Sequence, residues 1–238
     1  MLPPATAALV AAATAPAPVL IRLTGTVGFA LSSTDVLQKL EDRLDLGAGG
    51  YALTLASSQA QLSFDDGTRV AIGERTMLGY AASDGKTATI ELARGAVHVI
   101  VRPTSVIAIL TPTAGIALSD ADAFIVTGPR GTQIACVRCA PTTVLRTPAG
   151  HAQLGNCTLG DAGANALRVR SSIASENPAM DALVGGADAT AGCPRSSRTH
   201  VDPTGSDPGA RDPLANGWGT FTAGALFAIL TMIGPHAG

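Results

Sequence analysis

Apolar and polar residues alternate along several short segments of the chain, which is the pattern of strands with one buried face. Turn-forming residues separate these segments, and two of the separations contain Asp-Gly. Glycine accepts the positive φ that a tight hairpin requires. The pattern therefore predicts a ladder of hairpins. Its alternating segments are 51–64, 70–78, 87–92 and 96–101, and its turns are Asp65-Asp66-Gly67, Ser83-Asp84-Gly85-Lys86 and Arg94-Gly95.

The segment before this ladder fits two structures. Ser33-Thr34-Asp35 is a suitable cap for a helix over Asp35 to Asp45, which the glycines from Gly47 onward would end. Leu40 to Leu44 also fits a short strand, and so few residues do not distinguish the two periodicities. The apolar residues that would share one face of the helix are Val36, Leu37, Leu40 and Leu44.

Composition restricts both the core and the function. Aromatic residues make up only 3% of the 238 residues, so the core must be built from Ala, Val, Leu and Ile. Charged residues make up 14%, and the formal net charge is −2. Arginine carries most of the positive charge but forms no basic stripe interleaved with aromatics. This balance disfavours nucleic-acid binding.

The four cysteines allow two disulfides in an oxidising compartment. Sequence alone does not choose among the three pairings of Cys136, Cys139, Cys157 and Cys193. Cys136 and Cys139 also have the CxxC spacing of zinc and redox sites. They follow a strand-like segment rather than opening a helix, and a second CxxC is missing. Structural disulfides or buried thiols are therefore favoured over a metal or a reactive pair.

The first 19 residues are leader-like. The apolar stretch from Leu2 to Leu20 contains small-residue sites around Ala13 and Ala17, as in the apolar part of a secretory signal. No Lys or Arg precedes it, and proline follows each candidate cleavage point. An uncleaved leader or a misplaced start codon would explain both departures. The segment favours export of the chain.

The last 25 residues contain no Asp, Glu, Lys or Arg. The stretch 217–234 has about the minimum length for crossing the hydrocarbon core of a bilayer. Trp218 would lie at the interface, and Gly224 with Ala228 would offer a small face for helix packing. We expect a transmembrane helix here, with a buried C-terminal helix or strand as the alternative.

Four zones follow from these patterns. Residues 1–19 are the leader-like segment, and 20–163 are a β domain. Residues 164–213 have the Ser-, Pro- and Gly-rich composition of a flexible linker, with a short helix allowed at 178–184. Residues 214–238 are the hydrophobic segment. Such a linker would hold the domain near a membrane while leaving it free to tilt.

The β domain resembles the FecR-type periplasmic domain, which occurs in transmembrane regulators of iron-uptake signalling and in other envelope proteins. The resemblance covers roughly 20–163 and depends on several short motifs in the same order. These are Leu23-Thr24-Gly25-Thr26-Val27, Glu41 to Gly47, Ala60 to Thr68, Ile72-Gly73-Glu74-Arg75-Thr76, Leu92 to Val97 and Leu110-Thr111-Pro112. Two departures are Glu41 in place of a glycine and Ala121-Asp122-Ala123-Phe124 in place of G-T-x-F.

The resemblance implies an all-β, solenoid-like stack of short strands and hairpins. Open edges of such a stack are natural docking surfaces for an extended segment of a partner. The regulators of the family also carry a cytoplasmic N-terminal segment that acts on a sigma factor, followed by a membrane span. This sequence lacks a match to that arrangement, so we do not expect it to hold a sigma factor itself.

The sequence offers no convincing catalytic, cofactor or metal site. Asp65 and Asp66 fit a turn in which an aspartate binds its own backbone better than they fit a paired-carboxylate site. Asp120 and Asp122 lack the glycine and terminal glutamate of a calcium loop. His98 lies on one face of a strand, and neither it nor His151 has a nucleophile motif nearby.

We therefore expect a non-enzymatic, periplasmic or cell-envelope protein that binds other proteins, in particular membrane-embedded ones, as an accessory subunit or scaffold. No small-molecule substrate is evident. The alternative is a ligand-sensing or signal-transduction module. The residues predicted to contact a partner are Asp65, Asp66, Gly67, Asp84, Gly85, Trp218, Gly224 and Ala228.

Overall fold

The computed structural model describes residues 17–82, 87–171 and 178–184, together with Cys193. The described chain is almost entirely β and forms two nine-stranded sheets that share one long strand, β9 (Thr87–Val101). We call them the front sheet and the back sheet. The other strands of the front sheet are β1 (Val19–Thr24), β4 (Arg43–Asp45), β6 (Gln59–Ser63), β7 (Arg69–Ile72), β12 (Ala121–Gly128), β13 (Gly131–Cys139), β16 (Thr158–Gly163) and β17 (Ala166–Ser171).

The back sheet is built from the strands between these in the chain. Its members besides β9 are β2 (Val27–Ala30), β3 (Gln38–Lys39), β5 (Gly50–Thr54), β8 (Met77–Ala82), β10 (Val106–Leu110), β11 (Gly115–Leu118), β14 (Val144–Thr147) and β15 (Gly150–Gln153). A short helix, α1 (Pro178–Ala182), completes the described elements.

Among the described residues, strand pairing leaves each sheet with two edge strands. The front sheet runs in the order β4-β1-β6-β7-β9-β12-β13-β16-β17. The back sheet runs in the order β3-β2-β5-β8-β9-β10-β11-β14-β15. Pairs are antiparallel except the parallel pair of β9 with β10. The sheets do not close, so β3 and β4 lie at one end of the stack and β15 and β17 at the other.

The core lies between the two sheets. Alternate residues of the front sheet, such as Leu62 and Val99, meet alternate residues of the back sheet, such as Leu78 and Ile90. All four side chains are fully buried. Aliphatic side chains dominate this layer, as the scarcity of aromatics requires. The expected all-β fold class is confirmed for the described residues.

The predicted turn at Arg94-Gly95 is wrong, because β9 continues through both residues. Residues 88–92 of β9 pair with β8 in the back sheet, and residues 97–100 pair with β7 in the front sheet. Gly95 has φ +98°, and a Cβ at this position would overlap the backbone of Thr76. The glycine therefore marks the point at which one strand crosses between sheets.

The helix predicted for Asp35 to Asp45 is also wrong. This segment instead contains β3 and β4, two short strands that lie at the edges of different sheets. Val36 is 82% exposed, whereas Leu40 is buried in the core, so the two do not share a face. The strand alternative for Leu40 to Leu44 is closer to the structure, in which β4 starts at Arg43.

Other boundaries differ from the predicted ones. The alternating run 51–64 consists of β5 and β6, separated by a turn in which Ser57 has φ 54°. β17 adds a strand beyond Gly163, where the sequence placed the end of the domain. The short helix predicted within 178–184 is present as α1. Within the described ranges, no helix is long and apolar enough to cross a membrane.

Candidate functional site

Asp66, a residue that we predicted to contact a partner, forms hydrogen bonds within its own chain. Its carboxylate accepts hydrogen bonds from the Thr68 amide at 2.7 Å and the Thr68 hydroxyl at 3.1 Å. It also accepts one from the Ser105 hydroxyl. The Thr68 hydroxyl accepts the Arg102 amide at 3.2 Å. The β6–β7 hairpin is thereby fastened to the loop between β9 and β10.

The electrostatics of Asp66 agree with a structural role. Burial alone would raise the pKa of Asp66, but hydrogen bonds from Ser105 and Thr68 outweigh it and hold the pKa below its usual value. Gly67 has φ +83° and donates its amide to the Phe64 carbonyl at 3.0 Å. Asp65 is exposed beside it. The hairpin is as predicted, and Asp66 and Gly67 stabilise its turn.

A second polar cluster surrounds the crossing point of β9. The Thr54 hydroxyl donates to the Gly73 carbonyl at 2.5 Å and accepts the Thr76 amide at 3.0 Å. The Thr76 hydroxyl accepts the Ala96 amide at 3.0 Å. Both threonines are fully buried. Thr54 and Thr76 therefore supply hydrogen-bond partners for backbone groups of the Gly73-to-Thr76 motif and of β9 at the point where β9 changes sheets.

The other predicted contact residues lie outside the described part of the chain. They are Asp84, Gly85, Trp218, Gly224 and Ala228. Their proposed roles stay predictions.

The structure pairs all four cysteines as Cys136–Cys139 and Cys157–Cys193. The first disulfide spans an irregularity in β13, because Cys136 faces Ala123 and Arg138 faces Asp122, with Val137 extra between them. The second disulfide joins the start of β16 to Cys193. Among the described residues, no cluster of His, Cys, Asp and Glu has the arrangement of a metal site.

Helix α1 lies on the outer face of the front sheet, near the second disulfide. Met180 of α1 is 1% exposed and belongs to a small apolar cluster with Phe124, Leu159 and Cys193. The Gln59 side chain donates to the Ala182 carbonyl at 3.3 Å. This face of the sheet is therefore covered in part by the chain itself.

Beside this cluster, His98 forms contacts that the sequence did not reveal. Its ring stacks on Phe124, with centroids 4.0 Å apart and planes 8° apart. Its Nε2 atom lies 2.8 Å from Asp122 Oδ1. The two strands place His98 directly opposite Phe124. Finding this pair requires the register of β9 against β12, which the sequence pattern does not give.

An open groove of about 590 Å³ lies between α1 and the turns at 55–58 and 73–76. Its floor includes Gly95, Ala96 and Val126, and Ala182 forms part of one wall. Glu74 and Arg75 lie at its exposed rim, where the Glu74 carboxylate accepts the Ser57 amide at 2.7 Å. The groove offers small apolar contacts with charges of both signs at the rim.

The edges of the stack differ in length and charge. β3 and β4 have two and three residues, and β15 has four. β17 has six residues and pairs with β16 on one side. Among the described residues, no strand pairs with its other side. Arg168 is exposed on β17, and Arg170 lies 3.7 Å from Asp161 of β16. β17 is thus the longest edge strand of the described fold.

Two crystal structures of a candidate anti-sigma factor from Parabacteroides distasonis, at 1.65 and 2.50 Å resolution, are similar to 57% and 56% of this chain. Sequence identity is 12% in both, and the TM-scores are 0.47 and 0.46. The matched part spans 63% and 62% of that protein's chain, less than two thirds of its length. No curated protein sequence matches the chain.

The family comparison is more specific. Residues 51–140 match the family described as FecR protein. This range runs from β5 to β13 and includes the Asp66 turn, the Gly73-to-Thr76 motif and the crossing strand β9. The expected resemblance to the FecR family is confirmed over this range of the chain.

Proposed function

We propose that this chain is a non-enzymatic cell-envelope protein whose FecR-type domain acts in signalling or assembly by binding other proteins. The observation that carries the proposal is the edge of β17. This strand has six residues, and its outer side pairs with no described strand. An open edge of this length can accept an extended segment of a partner through main-chain hydrogen bonds.

The residues of the FecR motifs favour an outer surface as the binding site. Asp66 and Thr68 fasten one hairpin, and Thr54 and Thr76 satisfy the backbone around Gly95. The polar groups of these residues already form hydrogen bonds within the fold. The partner surface is then expected on strands whose backbone and side chains face outward, rather than at the Asp66-Gly67 turn.

Two features support a location outside the cytoplasm. The disulfides Cys136–Cys139 and Cys157–Cys193 need an oxidising compartment to persist. The leader-like residues 1–19 are consistent with export. We further propose that residues 214–238 anchor the protein in a membrane and that the preceding Pro-rich residues act as a linker. A membrane-embedded partner would then lie within reach of the domain.

Photo-cross-linking from two edges tests the proposal. A photoreactive amino acid replaces Arg168 on β17 in the full-length protein, and the matched control carries it at Arg43 on β4. After illumination of cells and gentle detergent extraction, we expect a discrete adduct from position 168 and none from position 43. Equal adducts at both positions, or none at 168, would refute docking at this edge.

The groove beside α1 favours a second function, the sensing of a small ligand. Its volume of about 590 Å³ is within the usual range of ligand sites, but it is open to solvent. A thermal-shift screen of the full-length protein in detergent, repeated with Arg75→Ala, distinguishes this alternative. A ligand that stabilises the wild type and not the variant would favour sensing at the groove.

A further inference from the structure

Small residues form the centre of the outer face of the back sheet. Ile90 of β9 and Ile109 of β10 belong to the core. The residues beside them in each strand therefore face outward. Leu110 packs against two of the small residues, which makes this centre a shallow apolar floor. The small residues of the floor are Gly79 and Ala81 of β8, Ala108 of β10, and Gly115 and Ala117 of β11.

Glu91 is the only acidic residue in the described strands of the back sheet. In the ladder it faces Gly79 on one side and Leu110 on the other. Its side chain is half-buried, and burial raises the pKa of Glu91. Among the described residues, none forms a hydrogen bond or an ion pair with the carboxylate. The described part of the fold therefore leaves a partly desolvated carboxylate without a partner.

The ring of Tyr51 lies near this carboxylate. Tyr51 of β5 faces Gly79, and a Cβ on Gly79 would come within 2.9 Å of the Tyr51 Cε1 atom, so the ring covers the glycine. Burial raises the pKa of Tyr51, and the charge of Glu91 raises it further, because the two side chains are close. A ring, a carboxylate and an aliphatic floor together suit lysine or arginine, which has an apolar stem and a charged head.

Other occupants fit this face less well. A second copy related by a twofold axis through the floor would bring two Glu91 carboxylates together, and like charges repel. A bilayer would have to accept the carboxylate in its apolar region, which is costly. A small molecule on a shallow face would be covered on one side only, whereas ligand sites are concave. A protein surface that carries one cation matches both the apolar floor and the carboxylate.

We propose that the outer face of the back sheet docks a partner protein through a lysine or arginine that apolar residues surround. The cation pairs with the Glu91 carboxylate, and its stem packs on Leu110 and on the ring of Tyr51. The surrounding apolar residues cover the floor and exclude water, which strengthens the ion pair. This face is separate from the β17 edge, so the inference goes beyond the function proposed there.

Photo-cross-linking combined with charge exchange tests the inference. A photoreactive amino acid replaces Thr89, which is half-buried on the same face as Glu91. The matched control carries it at Gln61, which is half-buried on the outer face of the front sheet. Cells that produce the full-length protein are illuminated. The adducts are then extracted in detergent and sequenced by mass spectrometry.

We expect a protein adduct from position 89 and none from position 61, with a lysine or arginine next to the linked site. Glu91→Gln should reduce the adduct at least about tenfold, because it leaves the partner's cation unpaired. Glu91→Lys should abolish the adduct, and glutamate in place of the partner's cation should then restore it. Glu91→Gln should melt no lower than the wild type, because burial disfavours the carboxylate, so a lost adduct does not reflect unfolding.

Several results would overturn the inference. An undiminished adduct with Glu91→Gln, or failure of the exchanged charges to restore it, would remove the role of the carboxylate. Adducts with lipid, with a second copy or with another part of this chain would show that the occupant is wrong. Absence of an adduct from position 89, or equal adducts from position 61, would reject docking at this face. Cross-links from position 168 test the β17 edge separately, so the two proposals can fail independently.

Discussion

The two ends of the β stack differ in the length and charge of their edge strands. At the N-terminal end, β3 and β4 have two and three residues and carry the charged side chains Lys39, Arg43 and Asp45. At the C-terminal end, β17 has six residues, and both disulfides lie in this half of the chain. Short charged edges block pairing with other chains. Among the described residues, the contrast supports the proposal that a partner docks at β17 rather than at β3 or β4.

Both ends of the stack depend on β9, the strand that the two sheets share. Gly95→Ala should cost about 4 kcal/mol of the free energy of unfolding, because a Cβ would overlap the Thr76 backbone at a positive φ. The two ends of the β stack would then no longer differ, since both would lose their ordered structure together. Denaturant unfolding measures the loss. Gly128→Ala is the matched control, because Gly128 has open space around its Cβ position. A near-wild-type stability for Gly95→Ala would contradict the crossing role.

Removing Cys157–Cys193 should affect the two ends unequally. A double Cys→Ser variant should lose about 3 kcal/mol, since the disulfide closes a loop with a sequence separation of 36. Hydrogen exchange should rise in α1 and β16 while β1 and β6 stay protected. The double variant of Cys136 and Cys139, with a separation of only 3, is the control and should lose less. A uniform rise in exchange over both ends would contradict this division.

Asp66 connects the β6–β7 hairpin to the loop between β9 and β10, so its loss should loosen this contact. Asp66→Asn should cost less than about 1 kcal/mol, because the turn is exposed to solvent. Hydrogen bonds from Ser105 and Thr68 outweigh burial and hold the pKa of Asp66 in the folded protein below its usual value. The carboxylate therefore stabilises the fold above the unfolded pKa, and this contribution disappears as the pH falls through the folded pKa. Acid unfolding of wild type and variant should converge at low pH; a constant difference would exclude this role.

The charges of the N-terminal edge should matter for solubility more than for stability. Lys39 and Glu41 form an exposed ion pair at 3.2 Å, which contributes at most a few tenths of a kcal/mol. Replacing Arg43 and Asp45 with valine should leave the melting temperature almost unchanged but increase self-association, measured by sedimentation velocity. A monomeric double variant would show that strand length alone protects this edge.

Local chemistry determined which parts of the fold the sequence could predict. The β6–β7 hairpin was predictable, because Asp66 and Gly67 define a turn through contacts within a few residues. Gly95 was misassigned, since a positive φ serves a turn and a crossing strand equally well. The helix predicted over Asp35 to Asp45 failed because Leu40 is held in the core while Val36 faces solvent.

The candidate site was less predictable than the fold. The alternation of Leu167 and Val169 with Arg168 and Arg170 was a strand signal, but it stands at the start of a segment with linker composition. The disulfide pairing and the contact of His98 with Phe124 depend on which strands meet, and no local pattern specifies that. Sequence motifs therefore identified the framework and not the edge that we propose as the site.

Hydrogen exchange of the full-length protein, with and without the partner recovered by cross-linking from position 168, tests the central claim most directly. The account predicts slower exchange at Leu167, Val169 and Ser171, with no change at Arg43 to Asp45. Protection at the groove turns 55–58 and 73–76 instead, or at β4, would contradict it and place the binding surface elsewhere.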